Sequence, residues 1–162
     1  MYEPLVLLPG TMCDARLFSE QMLALGNRRA ITVVPMTGAQ SIGGLASAVL
    51  DAAPRKFALA GHSLGGIVAM EVLRRAPDRV SRIALMDTNP MPESPQSAAA
   101  REPHIIAAMT GRLMEIMREV VKPSYLAPGP GRVEVTNQAL DMAAGLGPDV
   151  FVAQSRALQR RP

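Results

Sequence analysis

The chain is poor in the residues that build disulfide, metal and nucleic-acid sites. It has one cysteine, Cys13, two histidines, His62 and His104, and no tryptophan beside two tyrosines and three phenylalanines. A single thiol excludes an internal disulfide framework and fits a reducing compartment, so a cytoplasmic location is expected. The lone cysteine and the widely separated histidines give no metal-ligand spacing. The formal charge of +3 comes almost wholly from arginines spread between Arg16 and Arg161 and interleaved with acids. Without a basic stripe carrying aromatics, that charge reads as a solvated surface and not as a nucleic-acid footprint. No apolar run approaches the roughly eighteen residues of a membrane span, and the opening MYEPLVLLPG has an acid at Glu3 and too short an apolar run for a signal peptide. The pairs Gly43-Gly44 and Gly65-Gly66 form neither a dinucleotide nor a phosphate-loop pattern, so no cofactor is implied.

What is present is a globular composition, 48% hydrophobic and 19% charged over 162 residues. Leu5 to Leu8 reads as a buried strand ending at Pro9-Gly10, and Asp14 can cap a helix from Ala15 to Leu25. Ala30 to Val34 is a second strand stopped by Pro35, and Ser41 begins a helix reaching about Ala53 before Pro54. A third strand starts at Phe57, a helix runs from Leu64 to about Ala76, and Val80 to Met86 is a fourth strand with Asp87 at its carboxyl end. Short apolar strands alternating with helices predict an α/β fold, a mainly parallel sheet with helices on both faces. From Asn89 the pattern changes: Pro90, Pro92 and Pro95 make a proline-rich exit, followed by helical segments over 103–121, 133–144 and 148–158 with no strand among them. Residues 91–162 therefore read as a helical cap or lid on a core of residues 1–90. Unbranched methionines such as Met114 and Met117 can line an apolar pocket or serve ordinary helix packing.

The chemistry centres on Gly61-His62-Ser63-Leu64-Gly65, where an apolar strand meets a helix with no gap. A serine in such a turn is held on strained backbone with its hydroxyl clear of the sheet edge, and flanking glycines leave room for it. Ser63 is the candidate nucleophile; the alternative is a glycine-rich turn with an idle serine. A serine hydroxyl needs a histidine to take its proton and a carboxylate to orient that histidine. His62 adjoins Ser63 on a tight turn, where neighbouring side chains diverge, and is expected to be structural. His104 follows Pro103 at the start of a cap helix, with no strand behind it.

Leu7-Leu8-Pro9-Gly10-Thr11, Gly61-His62-Ser63-Leu64-Gly65-Gly66 and Arg82-Ile83-Ala84-Leu85-Met86-Asp87-Thr88 together resemble the α/β-hydrolase superfamily, in particular its small bacterial esterase-like members. The resemblance is specific over Leu5 to Pro90. It implies a helical insertion after the strand ending at Asp87, which matches the cap, and an oxyanion hole built from the backbone N–H of Leu64 and of Thr11, with Met12 next to it. Some relatives place the catalytic acid where Asp87 stands, although Asp87 can equally cap the following loop. Met12, Met114 and Met117 are the candidate substrate-contacting side chains. The strands that carry acid and base in most members are not found here, so the core is expected to lack its C-terminal part and to expose an apolar sheet edge open to self-association. The expected function is serine-dependent hydrolysis of a small or acyl-chain carboxylic ester through an acyl-Ser63 intermediate, with little turnover from these 162 residues alone. The alternatives are a non-catalytic binding protein of the same ancestry, or another activity of the scaffold: acyltransferase, thioesterase, lyase or cofactor-free haloperoxidase.

Overall fold

Alternation along the first strand sets up the two faces of the molecule. In the computed structural model, which describes residues 2–161, β1 (Leu5–Leu8) is buried throughout. Val6 and Leu8 point into one apolar cluster, and Leu5 and Leu7 into another on the opposite side of the sheet. A strand buried on both faces must be covered on both, as the continuous apolar run predicts. On one side lie α2 (Ile42–Ala52) and α3 (Leu64–Arg75), through Leu45, Val49, Val68 and Val72. On the other lies the segment of Phe18, Met22 and Leu25.

The sheet is parallel, in the order β2-β1-β3-β4, with β2 at Ile31–Val33, β3 at Phe57–His62 and β4 at Val80–Met86. Leu5 pairs with Ile31 on one side and with Ala58 on the other. Chain order therefore reverses across β1 and β3. A crevice opens at the carboxyl ends of strands where such a reversal occurs, and it is the preferred place for a ligand. The two loops that leave β1 and β3 there are Pro9–Thr11 and the turn at Ser63.

The elements agree with the expected pattern, with differences that have local causes. The helix expected from Ala15 begins as a 3₁₀ turn, Ala15–Phe18, because the Asp14 carboxylate takes the Arg16 N–H at 2.9 Å; α1 then covers Ser19–Leu25. Ser41 caps α2 by accepting the Gly44 N–H at 3.1 Å. β3 continues through Gly61 and His62, whose pairing with Leu85 and Met86 carries the strand to the serine.

Beyond Asn89 every element is helical: α4 (Pro95–Ala100), α5 (Glu102–Ala107), α6 (Leu113–Val120) and α7 (Arg132–Gln159), besides short 3₁₀ and π turns. The helix expected over 103–121 is broken where Gly111 takes φ 86°, and α7 changes direction at Gly147, φ 80°, just before Pro148. These helices bury Leu113, Ile116, Met117, Ala143 and Phe151 together with Met12 from the first loop. Ala157 and Leu158, at the far end of α7, join the cluster beneath the sheet, so this helix spans both packing regions. No helix among the described residues is long and apolar enough to cross a membrane. β4 is the edge strand beyond β3, and Ile83, Leu85 and Met86 on it are 37%, 45% and 36% exposed.

Candidate active site

Ser63 is the single residue between β3 and α3, at φ 51° and ψ −115°. A non-glycine residue in that region is strained and persists only where its surroundings fix it. Here its N–H donates to the Met86 carbonyl at 2.9 Å, and its own carbonyl accepts from Gly66 N–H at 3.0 Å, Ile67 N–H at 3.2 Å and the Thr88 hydroxyl at 2.8 Å. The end of β4 and the start of α3 thus hold the turn from both sides. Close approach does the rest. A Cβ on Gly65 would enter the Leu8 carbonyl and lie 2.7 Å from the Pro9 oxygen, and one on Gly66 would lie 2.6 Å from Thr88 Cβ. Both positions require glycine if the elbow is to touch β1 and the loop after β4.

The first N–H groups of a helix have no acceptor within it. Leu64 is the first residue of α3, and among the described residues its N–H has no acceptor; the same is true of the Thr11 N–H. Thr11 and Ser63 line one cavity of about 670 Å³. Met12 sits differently from the expectation. Its N–H donates to Gln154 Oε1 at 2.9 Å, so it is not free for a ligand, and its side chain, 1% exposed, is packed among the cap helices. Met117 is buried in the same apolar cluster, Met114 packs against it, and none of the three lines the cavity. Their methionine side chains are drawn inward by burial of apolar area, which holds the cap to the first loop. The wall facing Ser63 is made instead by Ile67, Val120, Val121, Phe151 and Leu158.

Asp87 directly follows β4 with φ 44°, another non-glycine residue at positive φ, and lines the cavity with Ser63. His62 does so too. Its ring is pressed against Gly10, where a Cβ would meet Nδ1 at 2.6 Å, and Nδ1 is buried without a hydrogen-bond partner. Burial pushes the His62 pKa below its ordinary value, opposed by the negative charge of Asp87. His104 also lines the cavity, carried there by α5. Among the described residues, neither histidine is hydrogen-bonded to a carboxylate or to Ser63. Arg101, on the turn before His104, and Arg161 are also on the polar part of the lining, with Thr88, Asn89, Tyr125 and Ser155. The spacing of Arg101 and His104, three apart at the start of a helix with Ile105 and Ala108 buried, is the one sequence signal that puts them on a common face.

Comparison with known proteins follows the same lines. The family model described as the alpha/beta hydrolase family matches residues 5–162. A pimeloyl-(acyl-carrier protein) methyl ester esterase of Vibrio campbellii is 29% identical over 119 residues, 68% of this chain and 47% of that protein. The malate-bound thermophilic esterase of Thermogutta terrifontis superposes with a TM-score of 0.85 at 21% identity, over 100% of this chain and 65% of its own. The enol-lactonase of Burkholderia xenovorans superposes with a TM-score of 0.81 at 18% identity, over 99% of this chain and 66% of its own. The chain spans about half the length of the curated relatives it matches.

Proposed function

As this chain belongs to the alpha/beta hydrolase family, we propose that it is the nucleophile-bearing part of a serine hydrolase that cleaves a carboxylic ester through an acyl-Ser63 intermediate. The observation that carries this is the pinned, strained Ser63 facing a cavity at the strand-order reversal. The Ser63 hydroxyl attacks the ester carbonyl and loses its proton to a base. The oxyanion that forms accepts from the N–H groups of Leu64 and Thr11, donors of a kind worth roughly 10²–10³ in rate each in such sites. Collapse expels the alcohol with a proton and leaves the acyl-serine, which water then hydrolyses.

Asp87 is our candidate for the carboxylate. The base is supplied by residues outside these 162, in keeping with the share of the relatives that has no counterpart here, and the chain alone turns over little substrate. Residues 1–90 act as core and 91–162 as cap, with the remainder of the core pairing beside β4. An acyl-chain ester suits the apolar wall of Val120, Val121, Phe151 and Leu158, and the curated relatives are named as methyl ester esterases. A small-molecule ester is then the partner, and no cofactor takes part. A p-nitrophenyl ester tests the proposal: slow release of p-nitrophenol up to about one equivalent, without sustained turnover, is expected, with the acyl group mapped to Ser63. Absence of any acyl adduct on folded protein contradicts it.

A second reading has one observation in its favour: neither cavity histidine is paired with a carboxylate among the described residues. A non-catalytic binder of the same ancestry would keep the cavity and bind the ester equally well with Ser63→Ala, forming no adduct.

A further inference from the structure

Behind the cavity, the Glu93 carboxylate, 4% exposed, lies between two guanidinium groups. Its Oε1 accepts Arg101 Nε–H at 3.0 Å, and its Oε2 lies 3.1 Å from Arg161 Nε. The second contact is ionic only: the Arg161 Nε–H is not aimed at the carboxylate and is buried without an acceptor. Arg161 is 11% exposed and Arg101 33%, and both line the cavity that holds Ser63. Each arginine turns its Nε edge to Glu93, and among the described residues no acceptor meets the terminal amino groups of either. Arg156, on the last turn of α7, is a useful contrast, because Glu102 and Gln159 accept from its guanidinium.

Two cations held by one carboxylate leave a net positive charge on the cavity wall, in a setting where solvent screens it poorly. Neither arginine has a terminal amino group that is both buried and unpartnered, so these groups are open to an incoming ligand, and a planar carboxylate accepts two parallel N–H bonds from such a fork. Asp87, the two histidines and Tyr125 are the other titratable groups on the lining, and Asp87 follows β4, on the elbow side with Ser63. The charge pattern is therefore asymmetric, nucleophile and acid on the sheet side and arginines on the cap side.

We propose that Arg101 and Arg161 form an anion subsite, so that the ester bound at Ser63 carries a free carboxylate at the far end of its acyl chain, as in a half-ester of a dicarboxylic acid. Glu93 holds both arginines in place from behind and leaves them one positive charge in excess. This rests on the hydrolase proposal for the ester, though not for the anion.

The test is calorimetric binding of monomethyl glutarate, neutral dimethyl glutarate and inorganic phosphate to the 162-residue chain carrying Ser63→Ala, which prevents acylation. Monomethyl glutarate is expected to bind at least about tenfold tighter than the dimethyl ester, the size of one charge-assisted hydrogen-bonded pair. The preference is expected to vanish in Glu93→Gln/Arg101→Gln/Arg161→Gln, which removes both cations together with their buried counter-charge, and to survive in Arg156→Gln. Equal binding of the two esters, or a preference that survives in the triple variant with unchanged melting temperature, overturns the subsite. Phosphate binding as tight as monomethyl glutarate overturns the carboxylate assignment. Acylation of Ser63 in the unsubstituted chain separates the two proposals: charge preference without acylation keeps the subsite and sinks the hydrolase, and acylation without charge preference does the reverse.

Discussion

Gln154 accepts the Met12 N–H at 2.9 Å and donates to the Met36 carbonyl at 2.8 Å, from a position only 1% exposed. One amide on the last helix thus ties together the loops that follow β1 and β2. It also fixes which N–H of the first loop is spent. With Met12 occupied and held at φ 55°, the N–H groups of Gly10 and Thr11 are the ones in this loop without an acceptor among the described residues, and Thr11 lines the cavity with Ser63.

Gln154→Ala strands both backbone groups in a dry setting, and each unsatisfied group costs roughly 1–3 kcal/mol. A loss of about 3 kcal/mol in urea unfolding is expected. Gln154→Glu keeps the acceptor for Met12 but sets a carboxylate against the Met36 carbonyl, so its deficit should shrink on acidification, when the carboxyl can donate. A deficit below about 0.5 kcal/mol for alanine would show that the bridge contributes nothing to stability.

The contrast between Gly65 and Gly43 checks the packing of the elbow. Gly65→Ala drives a Cβ into the Leu8 and Pro9 carbonyls and should cost about 3 kcal/mol or prevent folding, because backbone oxygens cannot swing aside. Gly43, on α2, has open space around its Cβ position, and Gly43→Ala should stabilise by roughly 0.5 kcal/mol. Urea midpoints of the two variants measure both.

His62 gives the pH dependence a sign. Its folded pKa lies below the ordinary value of 6.5 because burial disfavours the imidazolium. Below 6.5 the unfolded chain binds this proton and the folded chain does not, so stability is full above 6.5 and falls as the pH drops toward the folded pKa. Urea unfolding between pH 7.5 and pH 5 should show this loss, and His62→Gln should flatten it. An unchanged slope in the variant assigns the pH effect to other groups.

The exposed edge of β4 predicts association. Ile83 and Leu85 share one face of a strand whose outer backbone groups have no partner strand in the sheet. Sedimentation velocity should show dimers or larger species rising with concentration, and Leu85→Lys should reduce them. A monomer at every concentration would mean that the edge is covered in some other way.

The strands and the elbow were legible in the sequence because each is written in local grammar: four short apolar runs, the cap at Ser41, and Gly-His-Ser-Leu-Gly at a strand-to-helix junction. Bounds shifted where a side chain intervened, as where Asp14 tightens the first helical turn, and where the backbone itself did, as at Gly111 and Gly147 in the cap. The polar wall of the cavity was not legible. His104, Arg101 and Arg161 reach it through the path of α5 and α7, which turns on Gly111 and Gly147 and on apolar packing of the cap. The two uses open to the methionines could not be separated for the same reason. Met117 sits on a helix whose apolar side faces Met12 and Phe151, and its spacing alone does not distinguish a cavity wall from a packed interior.

Ser63 reactivity tests the central claim most directly. An oxyanion hole and binding alone retain roughly 10³–10⁴-fold catalysis over water when triad members are removed. A fluorophosphonate probe should therefore modify Ser63 in the folded chain at least about tenfold faster than in the same chain unfolded in urea, as followed by intact mass and peptide mapping. Ser63→Ala should abolish the adduct. Equal rates in folded and unfolded protein, or an adduct that persists in Ser63→Ala, would contradict an elbow built for nucleophilic attack.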